Sequence, residues 1–212
     1  MKLTRRLFKV DPRKIDLTVI STIADIVGKG GIIVYPTDTV YGLGCDPFNI
    51  NAVRRVFEIK GRERKPLPVL ASSIKDAERI AILHGKARVL AEHFWPGPLT
   101  IVVPKVEKSS LPGEVTAGEN YIGVRVPDHP VAIEIIRAVG GLLIGTSANK
   151  SGGLSPRTAT EAILQVGNDV DAIVDSGPSR YGISSTVIKI EGSKISLIRE
   201  GAISFEEIES IL

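Results

Sequence analysis

Apolar runs of five or six residues alternate along this chain with stretches of helical periodicity. Over 17–27, Leu17, Ile20, Ile23, Ala24 and Val27 fall on one helical face, and Asp16 stands where an N-cap belongs. Gly28, Gly30 and Gly31 end that helix, and Ile32 to Tyr35 reads as a buried strand. Residues 51–59 predict a short helix with Asn51 or Asn49 as cap, Val53, Val56 and Phe57 inward, and Gly61 as its C-cap glycine. A strand-like run, Leu67–Ala71, precedes a helix opened by Ser73, with Asp76 at capping-box spacing.

The helix predicted over Lys86–Phe94 is stopped by Trp95-Pro96-Gly97-Pro98, and Leu99–Val103 is the next strand. Residues 104–120 form a long polar loop, Tyr121–Val126 a strand, and Asp128-His129-Pro130 open a helix reaching Val139. A strand over 142–146, a Gly/Ser/Pro-rich loop over 150–157, a helix over 159–166 and a strand over 171–174 follow. Strands 185–190 and 195–199 flank Glu191-Gly192-Ser193-Lys194 as a hairpin, and Ser204 to Glu207 caps a final helix. This order predicts an α/β fold built on one twisted, mixed parallel/antiparallel sheet flanked by helices. No break in composition marks a second domain, so 1–212 is expected to be a single domain.

Composition narrows the classes of function. A net charge of +3 is too mild to indicate nucleic-acid binding by itself, so the placement of charges must decide. The single cysteine, Cys45, excludes an internal disulfide and suits a reducing cytoplasm. No stretch approaches the roughly 20 apolar residues of a membrane span. A cytoplasmic protein without a membrane partner is expected.

Three strands end in small polar residues: Tyr35 to Gly44, Ile144 to Asn149 and Val174 to Thr186. Ligands of open α/β sheets bind near the carboxyl ends of strands. The densest charge is Lys60-Gly61-Arg62-Glu63-Arg64-Lys65, which has no apolar neighbours to bury it. Such a cluster is either a phosphate grip or a solvated loop. Alternation on the strand 121–126 puts Tyr121, Gly123 and Arg125 on one face, where the arginine could hold a carboxylate or simply be exposed. Thr37 and Asp38 are candidates either for a site or for a turn. There is no phosphate loop of the GxxxxGK[ST] kind, no dinucleotide fingerprint and no zinc-ligand spacing among His84, His93 and His129. Ser147 lacks a GxSxG elbow, and Cys45 reads as structural.

Taken in order, these segments resemble the YrdC-like family of threonylcarbamoyl-adenylate synthases. The resemblance runs through Tyr35-Pro36-Thr37-Asp38-Thr39-Val40-Tyr41-Gly42-Leu43-Gly44, Lys60-x-Arg62 with Lys65-Pro66-Leu67, and Trp95-Pro96-Gly97-Pro98-Leu99-Thr100. It continues through Gly123-Val124-Arg125-Val126-Pro127, Thr146-Ser147-Ala148-Asn149-x-Ser151-Gly152, Ser185-Thr186-Val187 and Ile198-Arg199-Glu200-Gly201. It implies a YrdC-like fold with a basic concave face, in the family's short single-domain form.

It also implies an adenylyltransferase that makes threonylcarbamoyl-AMP and pyrophosphate from L-threonine, bicarbonate or CO2, and ATP. Threonylcarbamoyl transfer to tRNA by a downstream enzyme system would follow. By that resemblance Lys60, Arg62 and Arg64 grip the ATP phosphates, with Ser147 and Asn149 across from them. Tyr121, Ser155 and Arg199 complete the nucleotide site, although many members carry a smaller hydroxyl residue at the position of Tyr121. Thr37, Arg125 and Ser185 bind threonine, with Arg125 on its carboxylate. Mg²⁺ is expected to arrive on the phosphates of ATP, with no protein metal cage. A labile carbamate needs water excluded, which singles out the loops 104–120 and 150–157.

Two other readings use the same residues. One is a non-catalytic module binding double-stranded RNA or tRNA through the basic face. The chain lacks the arranged aromatic platforms that stack unpaired bases, which weighs against it. The other is a carbamoyl-adenylate-forming domain of hydrogenase maturation, whose accompanying acylphosphatase-like and zinc-finger motifs do not occur here.

Overall fold

The computed structural model describes residues 6–61 and 65–212. The first half of the chain runs β1 (Arg6–Lys9), α1 (Leu17–Gly28), β2 (Ile33–Tyr35), β3 (Gly42–Gly44), α2 (Ile50–Lys60), β4 (Val69–Ala71), α3 (Ile74–Ala77), α4 (Lys86–Phe94) and β5 (Leu99–Pro104). The second half runs α5 (Gly113–Thr116), β6 (Tyr121–Arg125), α6 (Pro130–Ala138), β7 (Leu142–Ile144), β8 (Thr146–Ser147), α7 (Ala159–Val166), β9 (Ala172–Asp175), β10 (Thr186–Glu191), β11 (Lys194–Arg199) and α8 (Phe205–Glu209).

The mixed α/β architecture is as the sequence predicts, but its strands divide between two sheets. One sheet has the order β1-β9-β2-β3-β8 and the other β11-β10-β5-β6-β4-β7. Both combine parallel and antiparallel pairs. The division happens inside the run expected as one strand over 142–146. Leu142 to Ile144 pair antiparallel with β4, while Thr146 and Ser147 pair antiparallel with β3. Gly145 is the pivot, and its N–H donates to the Pro68 carbonyl at 2.9 Å. A Cβ there would lie 2.3 Å from Leu70 Cγ, so only glycine lets the chain pass from one sheet to the other beside that buried leucine.

Local signals account for the helix ends. The side chains of Asp16, Asn49, Ser73 and Ser204 accept from the backbone N–H groups of their first turns, and Gly61 closes α2 in the left-handed conformation at φ 59°. Leu17, expected on the inward face of α1, is 66% exposed at the first position of the helix, while Ile20, Ile23 and Val27 further along are buried. β1 and α5 add order where the sequence showed no clear pattern; β1 pairs parallel with β9 across most of the chain length.

Two apolar clusters hold the layers together. Ile20, Ile23 and Val27 of α1 meet Val131, Ile135 and Ile136 of α6 over Ile33, Tyr35 and Val174. A larger cluster gathers Val53, Phe57, Leu90, Phe94 and Ala162 against Leu99, Ile101, Ile122, Val124 and Ile188. Strand alternation therefore spends one face of the six-stranded sheet on the core and leaves the opposite face for the site.

Gly145→Ala is expected to destabilise the fold by about 1–3 kcal/mol, the usual range for forcing a methyl into a packed core. A lowered urea midpoint at unchanged slope checks this, and an unchanged midpoint would mean the pivot tolerates a side chain.

Candidate active site

The free face of β5, β6 and β10 becomes one wall of a cavity of about 620 Å³. Thr100 and Val102, then Tyr121, Gly123 and Arg125, then Ser185, Val187 and Lys189 line it, following the two-residue period of each strand. Thr37, Thr39, Val40 and Gly42 form the facing wall with Thr146 and Ser147. The cavity thus lies where the sheets part at Gly145, which itself lines it. Gly123 keeps the floor open between Tyr121 and Arg125. A Cβ there would meet neighbours only at 3.5 Å and beyond.

Arg125 is buried, and its guanidinium is held on three sides. Nε donates to the Gly97 carbonyl at 2.8 Å, Nη1 to Thr39 Oγ1 at 2.8 Å, and Nη2 to the Asp38 carboxylate. Burial draws its pKa below the ordinary arginine value, and the Asp38 charge opposes that pull. Guanidinium carries more N–H groups than these three contacts use, so a ligand anion in the cavity can still be bound. The turn after Trp95 supplies the Gly97 carbonyl: Trp95 Nε1 donates to Leu99 O at 2.6 Å, and Gly97 N donates to Val126 O at 2.9 Å.

Thr37 serves the turn as well as the wall. Its hydroxyl donates to Val40 O at 2.6 Å and accepts from the N–H groups of Thr39 and Val40. Ser185 and Thr100 share a hydroxyl contact of 2.9 Å. Arg199 Nη2 donates to Ser185 O at 2.8 Å. Burial, and after it the charge of Arg125, lowers the pKa of Arg199. Two guanidiniums that repel each other across one cavity are a standing preference for an anion between them.

Within the basic cluster Lys60 departs from the expectation that its charges lack cover, while Lys65 is exposed. Lys60 is only 3% exposed, and its Nζ donates to the carbonyls of Ser147 at 2.6 Å and Asn149 at 3.0 Å. Backbone carbonyls replace water around the ammonium, which is how a lysine can be buried at the end of α2. Lys60 thereby fixes the Ser147–Asn149 segment beside the cavity. Arg62 and Arg64 lie outside the described residues.

Asn149 is buried, with Nδ2 donating to the carbonyls of Lys150 and Gly153. Ser155 Oγ is 3.3 Å from Ser184 Oγ, and Ser184 lines the cavity while Ser155 does not. Cys45 is buried away from the cavity, and burial pushes its thiol pKa up, as suits a structural residue. Tyr41, which donates to Gly177 O at 2.6 Å, is pushed up to about 12, again mainly by burial.

Lys189 is a lining residue that the sequence reading missed. Its Nζ stands 4.1 Å from the centroid of the Tyr121 ring and 2.7 Å from Glu191 Oε1. Alternation over 185–190 could have found it, since Ser185, Val187 and Lys189 share a face. The role of Asp38 as counter-ion to Arg125 was hidden, because the two lie 87 positions apart.

Residues 25–201 match the protein family described as Sua5_yciO_yrdC, telomere recombination. A threonylcarbamoyl-AMP synthase of Pyrococcus abyssi is 37% identical over 191 residues, 89% of this chain. One of Bacillus subtilis is 36% identical over 198 residues, 91% of this chain. The chain spans 56% of the length of each of these relatives. The crystal structure of Pyrococcus abyssi Sua5 complexed with L-threonine superposes with a TM-score of 0.92 at 36% identity, covering 97% of this chain and 60% of that one.

Removing the counter-ion alone, as in Asp38→Ala, should cost about 3–5 kcal/mol, the penalty for stranding a buried charge. Chemical denaturation measures it; a loss under about 1 kcal/mol would show that Thr39 and Gly97 suffice to hold Arg125. Gly123→Leu should instead leave the midpoint within about 1 kcal/mol while filling the cavity floor, because its Cβ meets only ordinary contacts.

Proposed function

Since the chain belongs to the Sua5/YciO/YrdC family, we propose that it is a threonylcarbamoyl-AMP synthase, converting L-threonine, bicarbonate or CO2, and ATP into threonylcarbamoyl-AMP and pyrophosphate. The observation that carries this reading is the pair Arg125 and Arg199, facing one hydroxyl-lined cavity and lowered in pKa by burial. Such a cavity suits an amino acid carboxylate next to a nucleotide. That Pyrococcus abyssi Sua5 forms a complex with L-threonine supports L-threonine as a ligand.

In this reading Arg125 takes the threonine carboxylate through the N–H groups that Asp38, Thr39 and Gly97 leave available. Thr37 and Ser185 stand beside it for the amino and hydroxyl groups. Arg199, Ser155 and Tyr121 belong to the nucleotide side. Lys60, Arg62 and Arg64 form the phosphate side with Ser147 and Asn149, Lys60 contributing charge beneath the backbone of those two residues.

The chemistry needs no protein nucleophile. The free amine of threonine adds to CO2, forming the N–C bond of a carbamate and losing a proton. A carbamate oxygen then attacks the α-phosphorus of ATP. The bond to the bridging oxygen breaks, and pyrophosphate leaves with the electron pair. Catalysis of that step is positioning and charge stabilisation, which fits a site rich in arginine, serine and threonine. Among the described residues no group of three His, Cys, Asp or Glu side chains could hold a metal ion. The donor set therefore fits a Mg²⁺ that comes bound to ATP, with phosphate and water oxygens as its ligands.

No helix among the described residues is long and apolar enough to cross a membrane. A cytoplasmic place, with the product passed to the machinery that modifies tRNA, completes the proposal.

The test is to incubate the chain with ATP, Mg²⁺, bicarbonate and labelled L-threonine and to resolve the nucleotides. Threonylcarbamoyl-AMP and pyrophosphate in equal amounts are expected, and pyrophosphate release independent of L-threonine would sink the reading. Arg125→Lys should raise the KM for L-threonine by about tenfold or more, because a lysine cannot reproduce the bidentate fork. The KM for ATP should stay within about twofold; the reverse pattern would move the amino acid to another part of the cavity.

A further inference from the structure

Thr100 ends the motif that begins at Trp95, and it is buried on the cavity wall. Ser185, immediately before β10, is buried on the same wall. Their hydroxyl oxygens lie 2.9 Å apart. That contact uses one of the two hydroxyl hydrogens. Among the described residues neither hydroxyl donates to any other group. Arg199 Nη2 stands 3.4 Å from Ser185 Oγ and can only donate, so it occupies a lone pair and takes no hydrogen. The pair therefore keeps one hydrogen for the cavity, whichever oxygen carries it, with lone pairs beside it. Such a pair suits a ligand group that both gives and accepts a hydrogen bond, and an alcohol is that group.

Both hydroxyls stand on fixed backbone. Thr186 N donates to Pro98 O at 3.0 Å, and Ser185 O accepts from Arg199 Nη2 at 2.8 Å. The methyl group of Thr100 is turned toward β6, since its Cγ2 is the nearest atom that a Cβ at Gly123 would meet, at 3.5 Å. That leaves the hydroxyl on the β10 side, where Ser185 is. β5 pairs antiparallel with β6 as Ile101 against Val124, so Thr100 and Arg125 are the next positions outward. Both line the cavity. A seat for a carboxylate and a pair of hydroxyls thus lie side by side on neighbouring strands.

We propose that Thr100 is a specificity-determining residue: with Ser185 it reads the side-chain hydroxyl of a β-hydroxy amino acid whose carboxylate is held by Arg125. This deepens the proposed function and rests on it, since Arg125 and Ser185 already belong to the amino acid side in that reading and Thr100 does not. Recognition is then divided. Arg125 takes any α-carboxylate, and the hydroxyl pair takes only an alcohol. An amino acid without the hydroxyl leaves a buried donor with no acceptor, and a site built to bond a hydroxyl rejects such an analogue far more strongly than an apolar pocket rejects a missing methylene.

Titration calorimetry on the intact chain with a non-hydrolysable ATP analogue compares L-threonine with L-2-aminobutyrate, which lacks only the hydroxyl. Wild type is expected to bind L-threonine about 100-fold more tightly. A preference below about tenfold would overturn the proposal without any variant. Thr100→Val keeps a methyl group toward Gly123 and removes the hydroxyl. It should cut the preference by about tenfold or more, by weakening L-threonine while L-2-aminobutyrate stays within about threefold. Equal losses for the two amino acids would mean that Thr100 only supports the wall, and would overturn the assignment. Thr100→Ser keeps the hydroxyl and should hold the preference within about threefold of wild type. Its collapse in the serine variant would give the effect to the methyl group and overturn the assignment as well. Failure of the proposed function reads differently. The expected preferences in a chain that makes no threonylcarbamoyl-AMP would keep the hydroxyl pair and remove the synthase reading. A chain that binds no L-threonine would remove both.

Discussion

The buried contact between Asp38 and Arg125 is the constraint around which the other parts of the site are arranged. A guanidinium taken out of water is tolerable only when several acceptors surround it, and here three acceptors come from two separate segments. Asp38 and Thr39 come from the turn after β2, and Gly97 comes from the turn after α4. The motif around Trp95 therefore need not touch a ligand to matter: its indole and the close fit of Gly97 against Phe94 O aim one carbonyl at Nε. The same pair joins the two sheets, since Asp38 follows a strand of one and Arg125 ends a strand of the other.

Lys60 plays a related part at the other edge of the cavity. Its ammonium ties the end of α2 to the carbonyls of Ser147 and Asn149, and its own carbonyl accepts from Ser151 N at 2.8 Å. A cation used this way is a structural tie that also leaves positive charge beneath a backbone segment lining the site. The distinction between framework and machinery, sharp in most sequence motifs, is blurred at both of these residues.

Much of this was legible in the sequence where the signal is local. Asp16, Ser73 and Ser204 announce helix starts, and Gly61 announces an end, because caps act within one turn. Alternation on β6 correctly put Tyr121, Gly123 and Arg125 on one face. What depended on partners far along the chain was not legible. The parting of the sheets at Gly145 follows from the position of Leu70, and the burial of Lys60 follows from carbonyls 87 and 89 positions away. A charged cluster looks the same in sequence whether its first lysine is solvated or covered. β1 escaped notice because its four residues make sense only against β9.

The pairing of β10 with β5, of β8 with β3 and of β1 with β9 has a kinetic side. Each closes a long loop before any contact repays the lost chain entropy, so the topology places this chain among slower-folding mixed domains. Thr37, Arg125, Ser185 and Arg199 reach the cavity from all across that order, and no partly folded half can hold them together. Occupancy of the cavity is thus a late event on the folding path, and a ligand that binds there reads out completion of the chain fold as well as its own recognition.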